Sequence, residues 1–128
     1  MIWHIALHAD WLHAQRVGEY LMSTRGMTLD EVGYIHCSTP EQIEGVAERF
    51  YDDLDKLLLL EIDPDRVGST IIEEPPAPGV EELFPHIYGP LPIDAVRSVR
   101  QWTRGETGWL LPDQGPENTP EVSAPFSE

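Results

Sequence analysis

Val32-Gly33-Tyr34-Ile35-His36-Cys37, followed at once by Ser38-Thr39-Pro40-Glu41-Gln42, is the stretch whose reading decides the fold. Its first half is rich in β-branched and aromatic residues, with Gly33 easing the start, and predicts a short strand. Its second half predicts an abrupt helix start. Ser38 or Thr39 supplies the cap, Pro40 suits the first turn, and Gln42 stands where a capping-box partner of Thr39 belongs. Ile43, Val46, Ala47 and Phe50 or Tyr51 then share one face at helical spacing.

On the N-terminal side, Met1 to Ala6 reads as a strand. Asp10 is expected to cap a helix carrying Trp11, Leu12, Ala14 and Gln15 and ending at Gly18. Glu19 to Thr24 is a short strand or loop. On the C-terminal side, Leu57 to Ile62 is apolar at every alternation until Glu61, as in a central strand covered on both faces. Asp63-Pro64-Asp65 turns the chain, Thr70 to Glu73 makes a further strand, and Pro75 to Gly79 is an irregular link. His86 to Tyr88 and Ala95 to Trp102 supply the last strands. Helices come early and strands gather late, which predicts an α+β fold rather than a doubly wound parallel sheet.

The chain has 128 residues, enough for one domain with its own core. Acidic residues outnumber basic ones 23 to 8, for a net charge of −15. Phosphate backbones are bound largely through Lys and Arg, so no nucleic-acid partner and no anionic membrane partner is expected. The single cysteine, Cys37, excludes an intramolecular disulfide and a Cys-based zinc site. Met1 to Trp11 lacks the pattern of a signal peptide, and the longest apolar run, Leu57 to Leu60, is far short of a membrane span. A cytoplasmic location is expected, and the sequence defines no oligomeric state. All eight basic residues lie at or before Arg104, whereas Gly105 to Glu128 holds five acidic residues and four prolines. This composition predicts a single domain over 1–104 and an acidic, proline-rich tail over 105–128, with Trp109, Leu110, Leu111 and Phe126 available to dock it.

Of five histidines, His4, His36 and His86 lie inside predicted strands between apolar neighbours. Each alone fits a core histidine bonded to the backbone. Three that converge would instead make a polar site titrating near neutrality. No metal is expected, because the four-residue gap between His4 and His8 needs a helix and the segment reads as a strand. Cys37 and His36 are strand neighbours on opposite faces, which argues against a nucleophile–base pair. Ser38 fits a helix cap, and its backbone N–H fits an anion site. Glu73-Glu74 and Glu81-Glu82 read as solvated carboxylates, although Glu82 precedes His86 by one helical turn's spacing. Tyr20, Tyr34 and Tyr88 are suited either to ring stacking or to packing. Nucleophile-elbow, P-loop and dinucleotide-binding glycine motifs are absent from the sequence.

Trp3-His4-Ile5-Ala6-Leu7, Gly33 to Gln42 and Leu83-Phe84-Pro85-His86-Ile87-Tyr88-Gly89-Pro90-Leu91-Pro92, with Leu57 to Pro64 between them, resemble the bacterial domain-of-unknown-function 952 family over about residues 2–104. That family is grouped by fold similarity with the ADP-ribosyltransferase superfamily, and its motif style is similar to that of the RNA 2′-phosphotransferases. The resemblance implies two small, mostly antiparallel sheets forming a cleft, with two early helices. It implies that NAD is a substrate or ligand, that His4 contacts a ribose, and that Tyr34, His36 and Ser38 line the nicotinamide pocket. The superfamily's late-strand glutamate has no obvious counterpart here, since His86 and Tyr88 occupy that strand. A neutral histidine supplies no fixed negative charge against a developing cation, but it can move a proton. The phosphotransferases also use several arginines, for which Arg16 and Arg25 are the nearest candidates, and an RNA substrate is not expected.

Two functions are therefore expected of the resemblance. One is an ADP-ribosyltransferase-like transferase or hydrolase handling NAD or ADP-ribose, with His36 and His86 catalytic and His4, Tyr34, Ser38 and Tyr88 binding. The other is a non-catalytic module that binds a nucleotide-like small molecule or a protein partner.

Overall fold

The fold was examined in a computed structural model, which describes residues 1–105, 108 and 109. In chain order the elements are strand β1 (Ile2–Ala6), helix α1 (His8–Val17), strands β2 (Glu19–Tyr20), β3 (Met22–Thr24) and β4 (Met27–Thr28), helix α2 (Leu29–Val32), strand β5 (Ile35–His36) and helix α3 (Ile43–Phe50). Strands β6 (Lys56–Ile62), β7 (Ile71–Glu74), β8 (Phe84–Ile87), β9 (Leu91–Pro92), β10 (Val96–Gly105) and β11 (Gly108–Trp109) follow. Every pairing is antiparallel. The architecture is α+β, with small antiparallel sheets and few helices.

The four-stranded sheet has the order β1-β6-β10-β11 and the three-stranded sheet the order β5-β8-β7. The consecutive leucines of β6 are explained by burial on both faces. Leu58 and Leu60 pack with Ile2, Trp11 and Ala14 in one core. Leu57 and Leu59 pack with Ile43, Val46, Ala47 and Trp102 in another. Each fully buried leucine contributes about 2–3 kcal/mol of transfer free energy, so β6 anchors both layers.

A reciprocal backbone bridge fastens the two sheets together. The Trp3 N–H donates to the Ser38 carbonyl and the Ser38 N–H to the Trp3 carbonyl, each at 2.8 Å. This bridge corrects the expected helix start, because it keeps the chain extended through Ser38. Neither Ser38 nor Thr39 caps α3, which begins at Ile43 with no side-chain cap. Half of the expected capping box is present, since the Thr39 N–H donates to Gln42 Oε1 at 3.0 Å. The complete capping box is instead at α2, between Thr28 and Glu31. Asp10 lies in the first turn of α1 rather than at its cap, while Gly18 ends that helix in the left-handed region, at φ 94°.

The body also continues beyond the boundary expected at Arg104. The β10–β11 hairpin pairs Arg104 with Trp109, and Trp109 is buried beside Trp102, with ring centroids 5.4 Å apart. The remaining residues of the predicted acidic tail, Leu110, Leu111 and Phe126 among them, lie outside the described residues. Among the described residues, no helix is long and apolar enough to cross a membrane.

Gly89 follows the site-bearing strand β8 and is held by close approach. A Cβ built there would lie 2.8 Å from Ser69 Cβ, closer than side-chain atoms pack. Gly89→Ala is therefore expected to destabilise the protein by about 1–3 kcal/mol, measured by urea denaturation. Ser69→Gly in the same chain is expected to recover most of that loss.

Candidate functional site

The site is built on one face of the three-stranded sheet. Side chains on a strand alternate, so Ile35, Cys37 and Ile87 point into the core. The opposite alternation carries Tyr34, His36, Phe84, His86 and Tyr88. Register then matters more than sequence distance. His36 pairs with His86 across β5 and β8, and Ile72 pairs with His86 across β7, which sets Glu74 on the same face diagonally from His86.

The polar groups on this face form one chain. His36 Nδ1 lies 3.3 Å from His86 Nε2, and His86 Nδ1 lies 2.8 Å from Glu74 Oε2. The Tyr88 hydroxyl donates to the same Glu74 oxygen. The Tyr34 ring stacks on the His86 imidazole at 3.9 Å between centroids, 12° from parallel, and seals it, so that His86 is fully buried. Bonds from Tyr88 and His86 hold the Glu74 carboxyl below its ordinary range. The carboxylate in turn raises the Tyr88 phenol to about 12.

His4 has a different place. Its Nδ1 lies 2.6 Å from the His36 carbonyl, which can only accept, so Nδ1 carries the proton. Its Nε2 is therefore the acceptor for the Tyr20 hydroxyl, at 2.9 Å. His4 is 2% exposed and both ring nitrogens are engaged within the protein. Burial lowers its pKa to about 4. His36 is lowered to about 4 as well, by burial first and by the neighbouring His86 second. Both imidazoles are neutral at physiological pH.

His36 and Tyr34 open onto a cleft of ≈ 500 Å³. One wall is Tyr34, His36 and Phe84 from the three-stranded sheet, and another is Val46, Arg49 and Phe50 from α3 with Tyr51 beyond it. Arg25, after β3, and the proline-rich link at Pro76, Ala77 and Val80 complete it. Phe50 and Val80 remain 59% and 39% exposed within this lining. Arg25 is clamped by both oxygens of Asp53 at 2.7 Å, a pairing that pulls the Asp53 carboxyl down to about 2. A void of ≈ 10 Å³ lies beneath the cleft, between His4, Ser38, His36 and Tyr51, with room for about one water.

The structure thus places the six sequence-predicted residues in three settings. Tyr34 and His36 line the cleft. His86 stands behind them, and Tyr88 stands on the outer side of His86 through Glu74. His4 and Ser38 lie below the cleft floor, buried, with the Ser38 backbone committed to the Trp3 bridge. Glu82, read as solvated, lines the cleft and accepts from Gln42 Nε2 at 3.0 Å. Sequence reasoning missed Glu74 as a partner of His86, and Arg49, Phe50 and Tyr51 as cleft residues. The period-two pattern of β7 carries the Glu74 signal, but only once its register with β8 is known. Cys37 is buried in the core, where burial raises its thiol pKa far above the ordinary value. Among the described residues, no group of three His, Cys, Asp or Glu side chains is placed to hold a metal ion.

Fold and site together define a small α+β protein with an aromatic cleft and a buried histidine–histidine–carboxylate chain beside it. The protein belongs to the family described as "Protein of unknown function (DUF952)", whose model matches residues 5–99. Its structure is similar to the crystal structure of protein CC0527 from Caulobacter crescentus, with a TM-score of 0.74 and 26% identity over 88% of this chain and 96% of that one. A double methionine mutant of CC0527 gives the same values. The solution NMR structure of CC0527 gives a TM-score of 0.69 at 26% identity, covering 90% of this chain and 93% of that one. No curated protein matches the chain.

The two depressed histidines make a stability prediction. Unfolded, both titrate near 6.5, and folded near 4, so between these values the unfolded chain binds more protons. Stability is therefore lost as pH falls through this window. A loss of about 5–6 kcal/mol, roughly 3 per histidine, between neutral pH and the acid end of the window is expected from denaturant melts. His36→Phe is expected to flatten that slope.

Proposed function

We propose that the cleft binds a nucleotide-like small molecule of the NAD or ADP-ribose class, and that His36 moves a proton there during transfer or hydrolysis at the ribose. The observation that carries this reading is a neutral imidazole presented at the wall of an aromatic cleft that also holds two guanidinium groups. Tyr34, Phe84 and Tyr51 place aromatic rings in the lining, as a flat base would need. Arg25 and Arg49 offer charge to phosphate oxygens. The described residues form four small antiparallel sheets, of which the four-stranded and three-stranded ones are fastened together beside a cleft, and this is compatible with an ADP-ribosyltransferase-like arrangement. That likeness supports the reading by analogy.

In hydrolysis of NAD, water attacks the anomeric carbon of the nicotinamide ribose. The carbon–nitrogen bond breaks with its electron pair going to nicotinamide, and the water proton passes to His36. His4 supports this wall from below through its bond to the His36 carbonyl, and Ser38 through its backbone bridge to Trp3. Glu82 is the carboxylate that lines the cleft, standing where it can face positive charge developing on the ribose.

Binding without turnover is the second reading, and one observation favours it. Glu74, the carboxylate nearest the histidines, is committed to His86 and Tyr88 rather than to the cleft. Calorimetric titration with NAD and with ADP-ribose, with nicotinamide release followed in parallel, separates the two. Catalysis predicts that His36→Ala lowers release by about 100-fold or more while ADP-ribose affinity changes only slightly. Tyr34→Ala is expected to weaken binding itself. Binding with no release from the wild type leaves the binding module, and no binding to either ligand overturns both forms.

A further inference from the structure

We propose that Glu74 and His86 are positioning residues that set the tautomer of His36, leaving Nε2 of His36 as a proton acceptor facing the cleft. The functional consequence rests on the reading of the cleft given above, but the tautomer itself is a property of the free protein.

Glu74 is a carboxylate and can only accept. It lies on β7, the edge strand of its sheet, with its side chain 30% exposed. It already accepts from the Tyr88 hydroxyl, so its 2.8 Å contact with His86 requires a proton on His86 Nδ1. A neutral His86 then has a lone pair at Nε2. That nitrogen faces His36 Nδ1 at 3.3 Å, so the shared proton belongs to His36 Nδ1. His36 is consequently left with its lone pair at Nε2. Among the described residues this atom has no hydrogen-bond partner, and it is not one of the buried unsatisfied atoms, which leaves it free for a ligand or water in the cleft that His36 lines.

Three features make the setting one-directional. His86 is fully buried under the Tyr34 ring, so water cannot replace either of its partners. The carboxylate at the far end fixes the polarity, as an acceptor-only group must. The His36 ring is also confined by Phe84, at 5.1 Å between centroids. A group so set takes a proton from a ligand hydroxyl or a water and cannot donate one to a ligand carbonyl. The cleft chemistry is then activation of an oxygen nucleophile. The proton accepted at Nε2 leaves a positive imidazole, stabilised through His86 by the Glu74 charge.

Nitrogen-15 NMR of the ligand-free protein, at a pH well above the ordinary histidine range, tests this directly. His36 is expected to show a protonated Nδ1 and an unprotonated Nε2, and His86 the same arrangement. In Glu74→Ala the His36 Nε2 resonance is expected to move to the average of two tautomers. In Glu74→Gln, whose amide oxygen can still accept, it is expected to stay near the wild-type position. A wild-type His36 protonated at Nε2, or present as a mixture, overturns the proposal whether or not the variants fold. An unchanged single tautomer in folded Glu74→Ala overturns the role of Glu74. Because no ligand is used, the result stands independently of whether NAD or ADP-ribose binds.

Discussion

The whole arrangement depends on a junction of a few atoms where β1 meets the end of β5. The mutual hydrogen bonds between Trp3 and Ser38 join the four-stranded sheet to the three-stranded one. The His4 imidazole reinforces the same place by donating to the His36 carbonyl at 2.6 Å while accepting from Tyr20. A buried imidazole with both nitrogens satisfied is a rigid spacer. Leaving either bond unmade would cost about 1–3 kcal/mol in this dry setting. The junction therefore sets where β5 lies, and with it where the His36 ring points.

From that junction the site follows by alternation. One side of the three-stranded sheet completes the apolar core with Ile35, Cys37 and Ile87. The other is left with tyrosines, histidines and a glutamate. The fully buried His86 must find both its partners within the protein, and it does so between His36 and the partly exposed Glu74. The cleft arises because α3 and the proline-rich link stand opposite this face without filling the space. The aromatic lining and the depressed pKa of His36 have a common origin in low access to water.

Much of this was legible in the sequence. The unbroken leucines of β6 read as a strand covered on both faces, whereas the strand histidines leave open a core role, which His4 takes, or a shared polar site. The opposite orientation of His36 and Cys37 followed from adjacency alone. What stayed hidden were properties of register and of long-range contact. Glu74 looks like a solvated carboxylate until β7 is laid against β8. Phe50 and Tyr51 look like ordinary helix-face residues until the proline-rich link is placed across from them. The start of α3 was misread because Ser38 and Thr39 have good capping chemistry, and only the β1 bridge shows why the backbone is unavailable for it. The segment after Arg104 reads as a tail on composition, with Trp109 among the residues able to dock it, but only the structure supplies Trp102 as its partner.

The proposed ligand site is the cleft beside His36. A crystal structure of the protein grown with ADP-ribose tests it most directly. Density is expected in the cleft, with a ring against Tyr34, Phe84 or Tyr51, phosphate oxygens toward Arg25 and Arg49, and a ligand hydroxyl or water bonded to His36 Nε2. Density elsewhere on the molecule, with the cleft filled by ordinary solvent at saturating ligand, would contradict it.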